Sequence, residues 1–174
     1  INRKALGEQH PDTARSLNNL GALLDAMGDY AGARPYYEQA LEINRKALGE
    51  QHPGTARSLN NLGALLYAMG DYTGAKPYYE QALEINRKAL GEQHPDTARS
   101  LNNLGALLDA MGDYAGARPY YEQALEVMEK TLGVDHPTTR VVRGNLEGLK
   151  DRLKKNPEGN ADSAGDPGHA PGVP

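Results

Sequence analysis

Four histidines at a constant spacing are the side chains in this sequence that come closest to a metal-binding set. They are His10, His52, His94 and His136, and each precedes a proline and has a carboxylate nearby. Equivalent atoms in successive helical units are separated by about two helix-packing distances of 8–10 Å, whereas a Zn–N bond is about 2.0–2.1 Å long. No two of these histidines can therefore share one ion. We interpret each as part of a loop that ends one helix and begins the next, and we predict no metal site.

The sequence lacks the residues that covalent and hydrolytic catalysis need. The chain has no cysteine, so it offers neither a thiol nucleophile nor a thiolate ligand. Ser16 falls in a helical segment rather than in the strand–turn–helix of a nucleophile elbow. The motifs Gly-x-Ser-x-Gly, His-Glu-x-x-His and Gly-x-x-x-x-Gly-Lys do not occur. We predict that the protein is not an enzyme and needs no cofactor.

The charge balance and the hydropathy exclude two classes of partner. The 19 Lys and Arg residues are opposed by 23 Asp and Glu residues, whereas phosphate binding needs a clustered excess of basic side chains. Tyr36 and Tyr37 could stack on bases, but Tyr37 shares a helical spacing with Ala33 and Ala40, which favours a place in the core. No apolar run approaches the length of about 18 residues that a membrane span requires. We expect a cytoplasmic protein that binds neither nucleic acid nor membrane.

The architecture follows from internal repetition. Residues 1–42 recur without change as residues 85–126, and residues 43–84 differ from them only at Gly54, Tyr67, Thr73 and Lys76. A degenerate fourth copy begins at Val127. A fixed period of this length is typical of a solenoid, in which each unit buries its apolar face against its neighbours.

One unit contains two helices. Pro11 can open the first helix, and Leu17, Leu20, Leu24 and Met27 form its apolar stripe up to Gly28. Asp29 can cap a second helix of about 18 residues that ends before Gly49. Pro35 lies near the start of this second helix, where the lost hydrogen bond is tolerated.

A polar stripe runs beside the leucines of the first helix. Arg15, Asn18, Asn19 and Asp25 belong to it. Such a stripe is often only a solvated surface, but two adjacent asparagines are poor helix formers and a surface needed only for solubility would favour Glu, Lys or Gln. Because an amide both donates and accepts hydrogen bonds, stacked asparagines would suit the backbone of an extended peptide.

These residues resemble the tetratricopeptide repeat family. The resemblance rests on Gly21 in the first helix, on Gly28, Asp29 and Tyr30 at the turn, and on Ala33, Tyr37 and Ala40 in the second helix. The 42-residue period with its Leu-Asn-Asn-Leu and His-Pro sequences is similar to the repeats of kinesin light chains and their bacterial relatives. The resemblance implies an all-α, right-handed superhelical solenoid of antiparallel helix pairs, which acts as a protein-interaction scaffold.

The resemblance also implies a peptide-binding groove lined by the first helices. In such proteins an asparagine in the register of Asn19 contacts the peptide backbone, and the arginines in the register of Arg15 would favour an acidic peptide. Tyr67 gives the middle unit an aromatic side chain where the flanking units have aspartate. The full set of predicted peptide-binding residues is Arg15, Asn18, Asn19, Asp25, Arg57, Asn60, Asn61, Tyr67, Arg99, Asn102, Asn103, Asp109 and Asn145.

Three segments are predicted along the chain. Residues 1–136 form the repeat array, residues 137–155 a capping helix with Val142, Leu146, Leu149 and Leu153 on its apolar side, and residues 156–174 a disordered tail rich in Pro and Gly. The chain begins at Ile1 inside what would be a second helix, so we expect a fragment of a longer array. The open N-terminal end should fray first and could support self-association.

Two other functions remain open at this point. The repeats could be the regulatory region of a larger signalling protein, such as a bacterial nucleotide-dependent switch ATPase. They could instead be a structural module in which near-identical repeats stack end to end. The identity of the partner and the length of the full array are not determined by the sequence.

Overall fold

The computed structural model describes residues 9–155, and this part of the chain consists of seven α-helices joined by short turns. The lengths alternate between 16 and 19 residues through the three repeats, so the second helix is one residue longer than the estimate of about 18. In chain order the helices are α1 (Pro11–Ala26), α2 (Tyr30–Leu48), α3 (Pro53–Ala68), α4 (Tyr72–Leu90), α5 (Pro95–Ala110), α6 (Tyr114–Leu132) and α7 (Pro137–Lys155).

The predicted caps set the ends of the helices. Asp29 accepts a hydrogen bond from the backbone N–H of Gly32 at 2.9 Å, which begins α2. Gly28 has a φ of 77° and Gly49 a φ of 96°, and these left-handed conformations favour glycine after α1 and after α2. The same arrangement recurs in the next two repeats. The sequence therefore specifies the turn chemistry three times.

Each repeat is a helix pair held together by a tyrosine against a glycine. Tyr37 is only 3% exposed, which confirms its prediction as a core residue. A Cβ atom added to Gly21 would lie 2.9 Å from the ring of Tyr37, so only glycine lets α1 and α2 approach this closely. Ala33 and Ala40 are also fully buried on α2. The small residues are thus required by the helix contact.

Successive pairs share cores. Tyr37 and Leu41 of α2 pack in one apolar cluster with Leu59, Leu62 and Leu65 of α3. The last cluster extends from the third pair into α7, where Val142, Leu146 and Leu149 are buried. The array is therefore continuous through the described residues.

Only part of the apolar stripe predicted on the first helix is buried in α1. Leu17 is buried as expected, but Leu20 is 47% exposed and Met27 is exposed as well. The equivalent Leu62 is 3% exposed, because side chains of α2 cover it. The assignment of Leu20 to a packed stripe is wrong for this repeat, and that of Met27 is wrong in all three repeats, since Met69 and Met111 are exposed as well. The predicted disordered tail and residues 1–8 lie outside the described residues.

Candidate functional site

The odd-numbered helices lie side by side, and we call the face that they share the first-helix surface. It is formed by α1, α3, α5 and α7, which are joined by hydrogen bonds between successive helices. Ala22, Ala64 and Ala106 occupy equivalent places on it, with exposed or half-buried side chains. Arg15 and Asn19 belong to the same stripe of α1 as Ala22 and are exposed. The surface therefore combines small apolar side chains with polar ones.

Asn18 and Asn60 do not lie on an exposed stripe, and that part of the sequence prediction is wrong. Asn18 is 6% exposed and Asn60 is 4% exposed. The amide of Asn18 donates to the hydroxyl of Ser58 at 3.2 Å, and the amide of Asn60 donates to Ser100 at 2.9 Å. These asparagines connect one repeat to the next and offer little surface to a ligand.

Sequence reasoning missed the serine that receives these bonds. The Ser58 hydroxyl is fully buried and also accepts from Asn44 of α2 at 2.9 Å, while the Asn44 amide donates further to the Gly54 carbonyl at 3.1 Å. Ser100 and Asn86 repeat this arrangement. A signal for this contact exists in the sequence, since a serine and an asparagine recur in strict register with the repeat.

The second asparagine of each repeat lies nearer to solvent. Asn103 is half-buried and donates to the Oδ1 atom of Asn60 at 3.4 Å, and Asn145 donates to the Oδ1 atom of Asn102 at 3.0 Å. One N–H of each amide is used in this way. The remaining N–H and the carbonyl oxygen of Asn103 form no hydrogen bond within residues 9–155, so they are available to a ligand.

The first contact between repeats differs from the later ones. Asn61 holds the register of Asn103, yet the Oδ1 atom of Asn18, to which it would donate, is buried and has no hydrogen-bond partner among residues 9–155. Asn19 is exposed. The amides of Asn19 and Asn61 therefore have their full hydrogen-bonding capacity on the first-helix surface.

Two of the three predicted arginines already have partners. Arg15 forms an ion pair with Asp12 at 3.0 Å, and Arg99 forms one with Asp96 at 2.9 Å. In the middle repeat Gly54 replaces that aspartate, and Arg57 has no carboxylate within ion-pair distance among the described residues. The middle arginine is the one that an acidic ligand could engage without displacing a neighbour.

A depression of about 360 Å³ opens on this surface, lined mainly by α5 and α7 and bounded by Tyr67 of α3. Asp109 and Arg152 line it, and Arg152 of α7 donates through Nε to Oδ1 of Asp109 at 2.9 Å and through Nη2 to Oδ2. This hydrogen bond raises the pKa of the Arg152 guanidinium. Arg152 was not among the predicted site residues, because its partner lies 43 positions away in the chain.

Tyr67 lines the same depression and stacks at a tilt on Tyr72, with 5.3 Å between ring centroids. Burial raises the pKa of Tyr67, and Tyr72 and Asp109 add to the effect. Its ring is half-buried, so it is a floor for this part of the surface rather than a freely projecting side chain.

The repeated histidines act as helix caps. The Nδ1 atom of His52 accepts a hydrogen bond from the backbone N–H of Gly54 at 2.9 Å. The Nδ1 atoms of His10, His94 and His136 accept the equivalent bond, in each case from the backbone N–H of the residue two positions later in the chain. Between residues 9 and 155, no three His, Cys, Asp or Glu side chains are grouped to hold a metal ion. Nor is any helix in that range long and apolar enough to cross a membrane.

Comparison with known proteins gives matches of sequence and of fold. The tetratricopeptide repeat family matches residues 1–46, 26–88 and 55–130. A search of curated proteins finds no match. Among solved structures, a Podospora anserina protein described as a kinesin light chain with nearly identical TPR-like repeats is 27% identical, with a TM-score of 0.77 over 86% of this chain and 71% of that one.

Two further structures show the same fold. The Sgt2 TPR domain from Aspergillus fumigatus is 25% identical, with a TM-score of 0.62 over 92% of this chain and 91% of that one. BtubC (BKLC) from P. vanneervenii is 24% identical, with a TM-score of 0.65 over 94% of this chain and 71% of that one. Tetratricopeptide repeats are generally protein-interaction scaffolds, and their fold is typically non-catalytic. The repeat sequence, the paired helices and these matches show that the chain belongs to the tetratricopeptide repeat family and is of the kinesin-light-chain-like type.

Proposed function

We propose that this protein is a scaffold that binds a peptide segment of a partner protein along its first-helix surface. The observation that carries the proposal is the row of asparagine amides at Asn19, Asn61 and Asn103, which share their stripe with small alanine side chains. An extended peptide loses water from its N–H and C=O groups on binding, and an amide with both a donor and an acceptor to spare can replace that water.

The free arginine supports an acidic segment in the ligand. Arg57 lies in the middle repeat without an ion-pair partner among the described residues, whereas Arg15 and Arg99 are paired. A guanidinium holds a carboxylate bidentately, which fixes its position as well as its charge. We therefore propose that an acidic side chain of the peptide pairs with Arg57. The cytoplasmic location expected from the sequence stays a prediction.

Replacing Asn19, Asn61 and Asn103 together by alanine tests the proposal. Peptides would be selected on the wild-type protein from a random display library, and the affinity of one selected peptide would be measured for each variant. Each lost hydrogen bond should cost about 0.5–1.5 kcal/mol, and helix content should be retained because alanine is the stronger helix former. Unchanged affinity in a folded triple variant would refute the role of the amides.

The matched control replaces three other amides, one from each repeat. Gln9, Gln51 and Gln93 are exposed and lie in the loops before the histidines, outside the helices that form the first-helix surface. Their triple alanine variant should bind the selected peptide like the wild type. Equal losses in the two triple variants would point to a general effect of amide removal.

Self-association is a second candidate function, supported by the apolar side of α1. Leu20, Leu23 and Met27 are exposed there, whereas the equivalent Leu62 and Leu65 of α3 are buried. An exposed apolar patch of this kind is a typical contact surface between proteins. Mass measured against protein concentration separates the candidates, because self-association through α1 should weaken when Leu23 is replaced by glutamate.

A further inference from the structure

Asp25 and Asp109 occupy the same place in two identical repeats but differ in what they bind. The carboxylate of Asp109 is held by both Nε and Nη2 of Arg152, and its side chain is only 12% exposed. Asp25 has no cation within ion-pair distance among the described residues. The chain thus contains one occupied and one unoccupied copy of the same carboxylate position.

The difference arises from the helix that follows. Arg152 lies 43 positions after Asp109, and the residue 43 positions after Asp25 is Ala68. Alanine cannot reach the carboxylate, so no side chain at this register takes the position that the arginine takes in the other copy. Ala68 is exposed, so this position is open to solvent.

The two carboxylates share equivalent tyrosine neighbours from the second helix of their own repeat. Tyr114 and Tyr121 act electrostatically on Arg152, and Tyr30 and Tyr37 are their counterparts in the first repeat. The field of Asp25 reaches the Tyr37 hydroxyl and contributes to its raised pKa, after the larger effect of burial. Asp109 acts in the same way on the Tyr121 hydroxyl in the third repeat.

Tyr67 lies on α3, the next of the odd-numbered helices after α1, and holds the register of Asp25. Tyr67 replaces aspartate in the middle repeat, and both Tyr67 and Asp25 act electrostatically on the Tyr79 hydroxyl. The substitution removes a negative charge and supplies a ring on which a guanidinium can stack. A carboxylate and an aromatic ring are the two features that arginine binds best.

We propose that Asp25, together with Tyr67 and the open position at Ala68, binds an arginine side chain of the partner peptide. The proposal rests on the proposed function, since it assigns one subsite of the same surface. The chemistry of the occupant follows from Arg152, which shows that this carboxylate position accepts the bidentate fork of a guanidinium. Arginine rather than lysine is expected, because an ammonium ion cannot match both carboxylate oxygens in one plane.

Two small probes test the subsite without knowledge of the partner. The protein is titrated with N-acetyl-arginine amide, and separately with N-acetyl-citrulline amide, which has nearly the same shape but no charge. Nuclear magnetic resonance shifts should change around Asp25 and Tyr67 with the arginine probe only. Equal responses to the two probes, or a response elsewhere on the surface, would overturn the proposal.

Three variants localise the response. Asp25→Asn should weaken binding of the arginine probe at least about tenfold, the loss expected for one charged hydrogen-bonded pair. Glu42→Gln removes the same charge from the exposed side of α2 and should leave binding unchanged. Arg152→Ala should create a second responding site around Asp109, provided that circular dichroism shows an intact fold. Failure of the second site to appear in the folded variant would refute the equivalence of the two carboxylates.

The outcomes also separate this subsite from the wider function. If the asparagine triple variant loses the selected peptide but the arginine probe gives no response at Asp25, the surface binds peptides and the subsite assignment is wrong. If the probe binds at Asp25 while the asparagine variant keeps full peptide affinity, the subsite exists and the proposed backbone contacts are wrong.

Discussion

Replacing Ser58 by alanine should disconnect the first repeat from the second. The hydroxyl of Ser58 is fully buried and accepts hydrogen bonds from the amides of Asn18 and Asn44. Removing it leaves two buried amide donors without that acceptor, and no water can replace it in a close-packed contact.

The magnitude follows from what each amide retains. Asn18 has no other hydrogen-bond partner among the described residues, and its Oδ1 atom is already unpaired. Asn44 keeps its bond to the Gly54 carbonyl at 3.1 Å. At about 1–3 kcal/mol for each buried group left unsatisfied, with Asn44 at the lower end, the unfolding free energy should fall by about 2–4 kcal/mol. That is a large part of the about 5–15 kcal/mol typical of a domain.

Urea unfolding and native-state hydrogen exchange measure the effect. The exchange data should show α1 and α2 opening at lower free energy than α4 to α6, because stability in an array is a sum of units and their interfaces. Thr73→Ala is the matched control, since Thr73 is exposed and alanine occupies the same register in the flanking repeats. A Ser58→Ala protein within about 0.5 kcal/mol of the control would refute the structural role of the network.

Three further predictions concern packing, pH and salt. Gly63→Ala should destabilise the protein by up to about 2 kcal/mol in urea unfolding, which is the cost of overpacking, about 1–3 kcal/mol, less the gain in helix propensity, about 1 kcal/mol. The reason is that the new Cβ would lie 2.7 Å from the buried ring of Tyr79, and a more stable variant would contradict this. Burial raises the pKa of Tyr79 and of Tyr121 above the usual value for tyrosine. The stability that these two neutral hydroxyls contribute is therefore complete below pH about 10, where tyrosine in the unfolded chain begins to ionise, and it falls at higher pH by up to about 1.4 kcal/mol per pH unit for each group. A flat dependence of the unfolding free energy on pH between 9 and 11 would argue against this. The affinity of an acidic peptide should fall with added salt, since screening acts over about 8–10 Å near physiological ionic strength. Arg57→Gln should reduce that salt dependence more than Arg15→Gln does, because Arg15 is already paired with Asp12. An equal salt dependence of affinity in the two variants would contradict the proposed pairing of Arg57 with the peptide.

The sequence by itself determined the repeat, the helix pairs and their ends. Identical letters at a period of 42 imply identical local structure, and caps such as Asp29 and stops such as Gly28 act within a few residues of chain. The burial of Tyr37 followed from its helical spacing with small residues that only a close helix contact requires. These features are local, so the sequence contains all the information that they need.

Only the tertiary structure decided what the polar residues of the first helix do. Asn18 lies at the margin of the polar stripe, and whether it faces solvent depends on how closely α3 packs beside α1. The pairing of Asp109 with Arg152 joins side chains 43 positions apart, on helices whose relative rotation no local pattern specifies. Helical periodicity gives the direction of a side chain from its own axis, but its partner is set by the neighbouring helix. The repeats of this chain are nearly identical in sequence, and their polar side chains differ in role because their neighbours differ.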